Sequence, residues 1–157
     1  MNPPAAPALS FAFEARVEIA APIEIGQAGS APLAFTPVTG GTVAGPRLNG
    51  TVLPGGGDWS THRVGTALDI SARYLIKAED EAIIDITNVG FWVATPEVEA
   101  ALDRGEDVDR SRYYFMTQPT FRTGAEQHAW LTRTIFVGQA VDDSARGEIR
   151  IAFYAVG

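Results

Sequence analysis

Two stretches of this chain alternate apolar and polar residues with a period of two, and that constrains the fold more than anything else in it. In LSFAFEARVEIA, Leu9, Phe11, Phe13, Val17 and Ile19 fall on one parity, with Ser10, Glu14, Arg16 and Glu18 on the other. In TALDISARYLIKAE, Leu68, Ile70, Ala72, Tyr74 and Ile76 share one face, and Asp69, Ser71, Arg73 and Lys77 the other. Side chains alternate across a strand, so each stretch predicts a long strand with one face buried. Further strands are predicted at Leu33–Thr36, Arg47–Leu53, Ala82–Trp92, Tyr113–Thr123, Ala129–Ala140 and Glu148–Val156, and Glu79-Asp80-Glu81 reads as a turn. One short helix is expected near 96–104. Thr95 is its N-cap, Pro96 its first position, Glu97 and Glu99 suit its positive end, and Gly105 stops it. Val98, Ala101 and Leu102 give it an apolar stripe, so it reads as a plug or cover.

Long strands with a single helix point to an all-β fold. An antiparallel β-barrel is preferred to a sandwich, because several strands run nine residues or more and closure removes exposed edges. The 157 residues fit one domain, 1–157, with residues 1–7 as a flexible lead-in carrying neither the basic nor the apolar part of a secretory signal. No apolar run is long enough for a membrane helix. Without cysteine there is no disulfide framework or thiolate chemistry, and a cytoplasmic location is the default expectation. The net charge of −7 and the lack of any basic cluster disfavour nucleic acid and anionic membranes as partners.

The segment from Gly40 to Arg63 carries the densest signals. Seven of the sixteen glycines lie between Gly40 and Gly57 and read as corners and loops. Asp58, Trp59, His62 and Arg63 follow at once. In an extended chain Asp58, Ser60 and His62 share one face, and Trp59, Thr61 and Arg63 the other. Asp58 and His62 then stand about 13 Å apart, too far to form a dyad but able to bracket a ligand. The structural alternatives are a loop-capping carboxylate for Asp58 and core packing for Trp59. Later in the chain His128, Trp130, Thr132, Thr134 and Phe136 would share one strand face, either lining a cavity or forming an aromatic anchor. Arg73 either pairs on the surface with Asp69 or, turned inward, meets Asp58 or a ligand oxygen. One of Tyr113 and Tyr114 must line the interior.

The run Gly40-Gly41-Thr42, Gly45-Pro46, then Gly50-Thr51-Val52-Leu53-Pro54-Gly55-Gly56-Gly57-Asp58-Trp59 resembles the domain-of-unknown-function family 3237, also called uncharacterised protein family 0311. Ala72-Arg73-Tyr74, Tyr113-Tyr114-Phe115 and Trp130-Leu131 extend the likeness, in order, over nearly the whole chain. The resemblance implies a compact antiparallel β-barrel, often self-associating, with no established general activity. Departures from the family's pattern are Val64, Met116, Arg122 and Thr132, where more polar or oppositely charged residues are usual. If those positions line a shared site, the ligand here is less polar or different. His62 and His128 lie outside the pattern.

No spacing suited to a metal site, Walker loop, nucleophile elbow or dinucleotide fingerprint occurs, so no metal and no cofactor are expected. The expected architecture is a single antiparallel barrel of about eight or more strands, lipocalin- or calycin-like, with room inside for one small molecule. The leading functional expectation is a cofactor-independent cyclase, isomerase or lyase acting on a small oxygenated, largely apolar molecule. Asp58, His62, Arg73, Tyr114 and His128 are the candidate catalytic residues. Trp59, Arg63, Trp92, Met116, Trp130 and Thr132 are the candidate substrate contacts. The alternatives are a non-catalytic binding barrel, acting as carrier or sensor, and a structural oligomerisation unit with a filled interior. A homo-oligomer is expected.

Overall fold

The computed structural model describes residues 1–63, 65 and 67–157. Among these residues ten strands run in chain order: β1 (Leu9–Ile19), β2 (Ile23–Ala28), β3 (Ala31–Ala44), β4 (Gly50–Val52), β5 (Gly57–His62), β6 (Ala67–Ala78), β7 (Ile83–Val93), β8 (Tyr114–Arg122), β9 (Ile135–Asp143) and β10 (Glu148–Val156). One helix, α1 (Pro96–Asp103), follows β7, capped by the Thr95 hydroxyl accepting from the Val98 amide. Among the described residues no helix is long and apolar enough to cross a membrane.

The sheet is antiparallel, in the order β1-β10-β9-β8-β7-β6-β4-β3-β2, and pairing of β1 with β3 closes it into a barrel of eight strand positions. β4 and β5 share one of these positions, each bridging β3 and β6 at a different height, while β2 is an extra strand paired with β3. The closure depends on missing side chains. A Cβ on Gly41, at φ +141°, would sit 2.0 Å from the Arg16 carbonyl oxygen of β1. Gly56, at φ +74°, brings its backbone against β6, and a Cβ there would lie 2.2 Å from the Arg73 carbonyl oxygen. At Gly55, with φ +112°, nothing comes within 4 Å. Gly56→Ala is therefore expected to cost well over 1 kcal/mol, roughly, and clearly more than Gly55→Ala, which carries only the φ strain. Urea unfolding of the two variants checks the order.

The two ends of the barrel differ. At the base, Phe13, Phe121, Phe136 and Phe153 interlock with ring centroids 5.1–6.0 Å apart and are almost wholly buried. Ile76, Ile84 and Ile86 pack among them. A 3-10 helix over Glu126–Arg133 covers this end, with Leu131 buried beneath it and Trp130 against Phe136. This corrects the expected strand over Ala129–Ala140, since β9 begins only at Ile135. The helix is pinned where His128 Nε2 meets Asp80 Oδ2 at 2.7 Å and the Gln127 amide donates to the same carboxylate. At the other end, where β5, β6, β7 and β10 present Asp58, Ile70, Trp92 and Ile149, the barrel is hollow.

Candidate functional site

The hollow end is a chamber of about 630 Å³ that opens to solvent between β2, α1 and the β9–β10 turn. It continues inward to a narrow space of about 60 Å³. Asp58, Thr36, Ile70, Phe115 and Ile149 belong to both parts, so Asp58 sits where the chamber narrows.

The alternation of β5 sets this placement. Asp58 and Ser60 turn inward, and His62 reaches the rim. The register between β5 and β6 is kept at Asp58↔Ala72 and Thr61↔Asp69, yet no ladder pair joins Trp59 and Ser60 to Ile70 and Ser71. Asp58 Oδ1 accepts the Ser71 amide at 2.8 Å, so a side chain takes up a donor in the gap. Burial raises the Asp58 carboxyl from 3.8 to about 6, and the Ser71 bond only partly offsets it. A carboxyl poised near neutrality can both take and return a proton.

Around it lie polar atoms that the protein itself does not satisfy. The Tyr74 hydroxyl, Asn88 Oδ1 and Thr117 Oγ1 are buried, belong to residues that line the narrow part and have no hydrogen-bond partner among the described residues. Trp92 Nε1 is in the same condition in the wider part. Buried polar atoms nearly always find partners, and leaving one unpaired costs about 1–3 kcal/mol. The four residues that carry them line the two parts of one cavity, the arrangement expected of a site completed by a ligand. Burial also pushes the Tyr74 hydroxyl up, so it stays a proton donor at any ordinary pH. Tyr74→Phe is expected to raise thermal stability slightly, by up to about 1 kcal/mol, because it removes an unsatisfied group. Calorimetric melting checks this.

Of the residues singled out from sequence, Asp58, His62 and Trp92 line this chamber. The others lie elsewhere. Trp59, 44% exposed, is on the outer wall, stacked on Phe35 at 4.6 Å. Arg73 is also outside, sharing Asp85 with Arg122, so it cannot hold a developing charge beside Asp58. Arg63 pairs outside with Asp69 and lies over Phe91. Tyr114 is 53% exposed. Its neighbour Tyr113 is the one that turns in, and the Tyr113 hydroxyl accepts from the Asp142 amide. Met116 lies in an outer groove with Tyr114 and Phe91, its sulfur 3.7 Å from Arg110 Nη2. His128 and Trp130 belong to the base, Trp130 beneath the Arg47 guanidinium at 3.7 Å. Exposed Thr132 donates to the Ala129 carbonyl within the 3-10 helix. The expected shared face of His128, Trp130 and Thr132 does not exist, because a 3-10 helix replaces the strand.

Sequence reading passed over Asn88 and Thr117, and it read Tyr74 only as part of an apolar face. The signal was present. Asn88 falls on the register of Ile84, Ile86 and Trp92, and Thr117 on that of Phe115 and Phe121. A polar residue on a buried register needs a partner from somewhere.

The family model described as "Protein of unknown function (DUF3237)" matches residues 7–156. The chain belongs to the DUF3237 family. A UPF0311 protein of Clostridium acetobutylicum is 39% identical over 128 residues, 80% of each chain. The crystal structure of a conserved protein of unknown function from Rhodopseudomonas palustris superposes with a TM-score of 0.89 at 30% identity, covering all of both chains. An enzyme from Penicillium herquei has the same fold, with a TM-score of 0.74 at 24% identity over 100% of this chain and 99% of its own. Three of this DUF3237 member's departures from the family pattern lie away from the chamber. Met116 is in the outer groove, Arg122 pairs with Asp85, and Thr132 is on the base. They give no ground for a less polar ligand. The fourth, Val64, is outside the described residues.

Proposed function

We propose that this DUF3237 barrel is a cofactor-independent enzyme of the cyclase, isomerase or lyase type, acting on a small oxygenated, largely apolar molecule held in the chamber. The observation that carries the reading is the Asp58 carboxyl, raised to about 6 and set at the narrowing among unsatisfied polar atoms. In this reading ionised Asp58 takes a proton from an acidic C–H or O–H of the substrate. The Tyr74 hydroxyl donates to the oxygen on which charge develops, and Asn88 and Thr117 fix the substrate's polar end. The proton then returns from Asp58 to another atom, or to the leaving oxygen in an elimination. The apolar walls, Ile70 and Ile149 among them, keep bulk water from the exchange.

The test is a panel of phenols, ketones and unsaturated alcohols, with and without an amine substituent, screened for binding by calorimetry and then followed by NMR for isomerised or cyclised product. Wild type should convert at least one binder. Asp58→Asn should keep its affinity while turnover falls by roughly 10²–10⁴-fold. Turnover by wild type should rise with pH through about 6, being about tenfold below its plateau at one unit lower, since the ionised form is the base. Binding without any conversion by wild type would make the protein a carrier or sensor instead.

A further inference from the structure

The chamber's mouth has a one-sided charge. Glu24 of β2, Asp103 at the end of α1 and Asp142 near the end of β9 line it, with Asp58 further in. None of the chain's twelve basic side chains lines the mouth or the narrow part, and His62 and the Tyr74 hydroxyl are the other ionisable side chains among the described lining residues. Basic residues are spent elsewhere: Arg63 on Asp69, Arg73 and Arg122 on Asp85, Arg104 on Glu106, and Arg150 beside Glu148. Arg146, in the turn between the lining residues Ala145 and Gly147, is already held by Asp143, by Asp107 and by the Gly105 carbonyl. α1 adds to the same sign. Asp103 ends it with no basic residue in the last turn, and the guanidinium of its C-cap, Arg104, is turned to Glu106.

Surface carboxylates alone would mean little. Here they surround aromatic rings and lead to buried atoms that lack partners. Trp92 and Phe115 line the same space, and Trp92 is buried with its Nε1 unpaired. Carboxylates together with indole and phenyl surface are the elements that recognise an organic ammonium. An anionic ligand would meet a wall of its own sign, with no guanidinium or ammonium to receive it.

We propose that the chamber selects an amphipathic organic cation, a protonated amine. Its ammonium would lie among Glu24, Asp103, Asp142 and the Trp92 and Phe115 rings, and its apolar, oxygen-bearing body would reach inward to Asp58. The proposal rests on the reading that the chamber is the ligand site, and it narrows the substrate class of that site. It excludes carboxylates, phosphates and thioesters of phosphorylated carriers.

The test uses three probes of one shape: 1-naphthylmethylamine, 1-naphthalenemethanol and 1-naphthoate. Each is titrated by calorimetry into the full chain at pH 7.5, at low and at high salt. The amine is expected to bind about tenfold or more tightly than the alcohol, with naphthoate weakest. Raising salt from about 20 to about 300 mM should weaken the amine and leave the alcohol unchanged. The double variant E24Q/D103N, on two exposed rim positions, should bring the amine's affinity towards that of the alcohol without changing the alcohol's own. Equal binding of amine and alcohol, or no effect of the double variant, overturns the cation selection while leaving the chamber as a ligand site. Tightest binding by naphthoate overturns it as well. Silence of all three probes sinks both the selection and the chamber reading.

Discussion

Asp58→Asn is expected to melt higher than wild type at pH 7.5, even as it loses turnover. In the folded chain burial holds the Asp58 carboxyl near 6, against 3.8 for the solvated carboxyl of the unfolded chain. Between those values the folded state holds a proton that the unfolded state has released, so stability falls as pH rises through this window. Above pH 6 the full penalty is present, and a shift of this size corresponds to about 3 kcal/mol. Asparagine is neutral, of similar shape, and its carbonyl oxygen can still accept the Ser71 amide. Most of the penalty should be relieved, giving a gain of about 2 kcal/mol and a melting temperature several degrees higher. The gain should shrink as pH is lowered and vanish below about pH 4, where both states of the wild type are protonated. Melting curves of the two proteins between pH 4 and 8 decide it. A variant no more stable than wild type at pH 7.5 would mean that the carboxylate is well solvated, and its role as a tuned proton carrier would fall with it. A group retained at a cost to stability is the pattern of an active site.

Phe153→Ala should be the most damaging single truncation, at about 3–5 kcal/mol. The ring is fully buried, 5.1 Å from Phe13 and 6.0 Å from Phe121 between centroids. Its neighbours belong to different strands of a closed ring and cannot collapse into the space left behind. Phe115→Ala makes the internal control. Phe115 is nearly as buried, but one side of its environment is the chamber, so fewer contacts are lost. Its cost should be about half as large, with the loss appearing in ligand affinity instead. Denaturant unfolding of both variants, compared at constant m-value, tests the difference between a filled base and a hollow end.

The barrel was legible because two of its long strands alternate, although β3, the longest at 14 residues, read only as Leu33–Thr36, and Leu9 and Phe11, placed on the buried face of β1, are exposed ahead of the bulge at Phe11–Phe13. β1 and β6 bury the parity that the sequence marks as apolar at Phe13, Val17, Tyr74 and Ile76. The helix was legible from its cap, since Thr95 and Pro96 act locally. β2 was not, because IEIGQA holds only two large apolar residues and every position in it is exposed. The 3-10 helix over Glu126–Arg133 was missed because one buried leucine gives no periodicity to read. In the site, the shared face of Asp58, Ser60 and His62 followed from β5 alone, but which face turns inward did not, and the backbone bond from Ser71 is what the loop-capping alternative expected of Asp58. The outward course of Arg73 did not follow either, because it depends on Asp85 and Arg122 arriving from two other strands. Tyr74 was placed on the right face, but its significance required knowing that no acceptor stands opposite it. Distances across a barrel are set by closure, which no single strand records.

The aromatic stopper at the base has a consequence for traffic. With that end sealed, whatever enters past Glu24 and Asp103 must leave by the same door. In the proposed enzyme, product and substrate would share that passage and that chamber, and product inhibition competitive with substrate is expected.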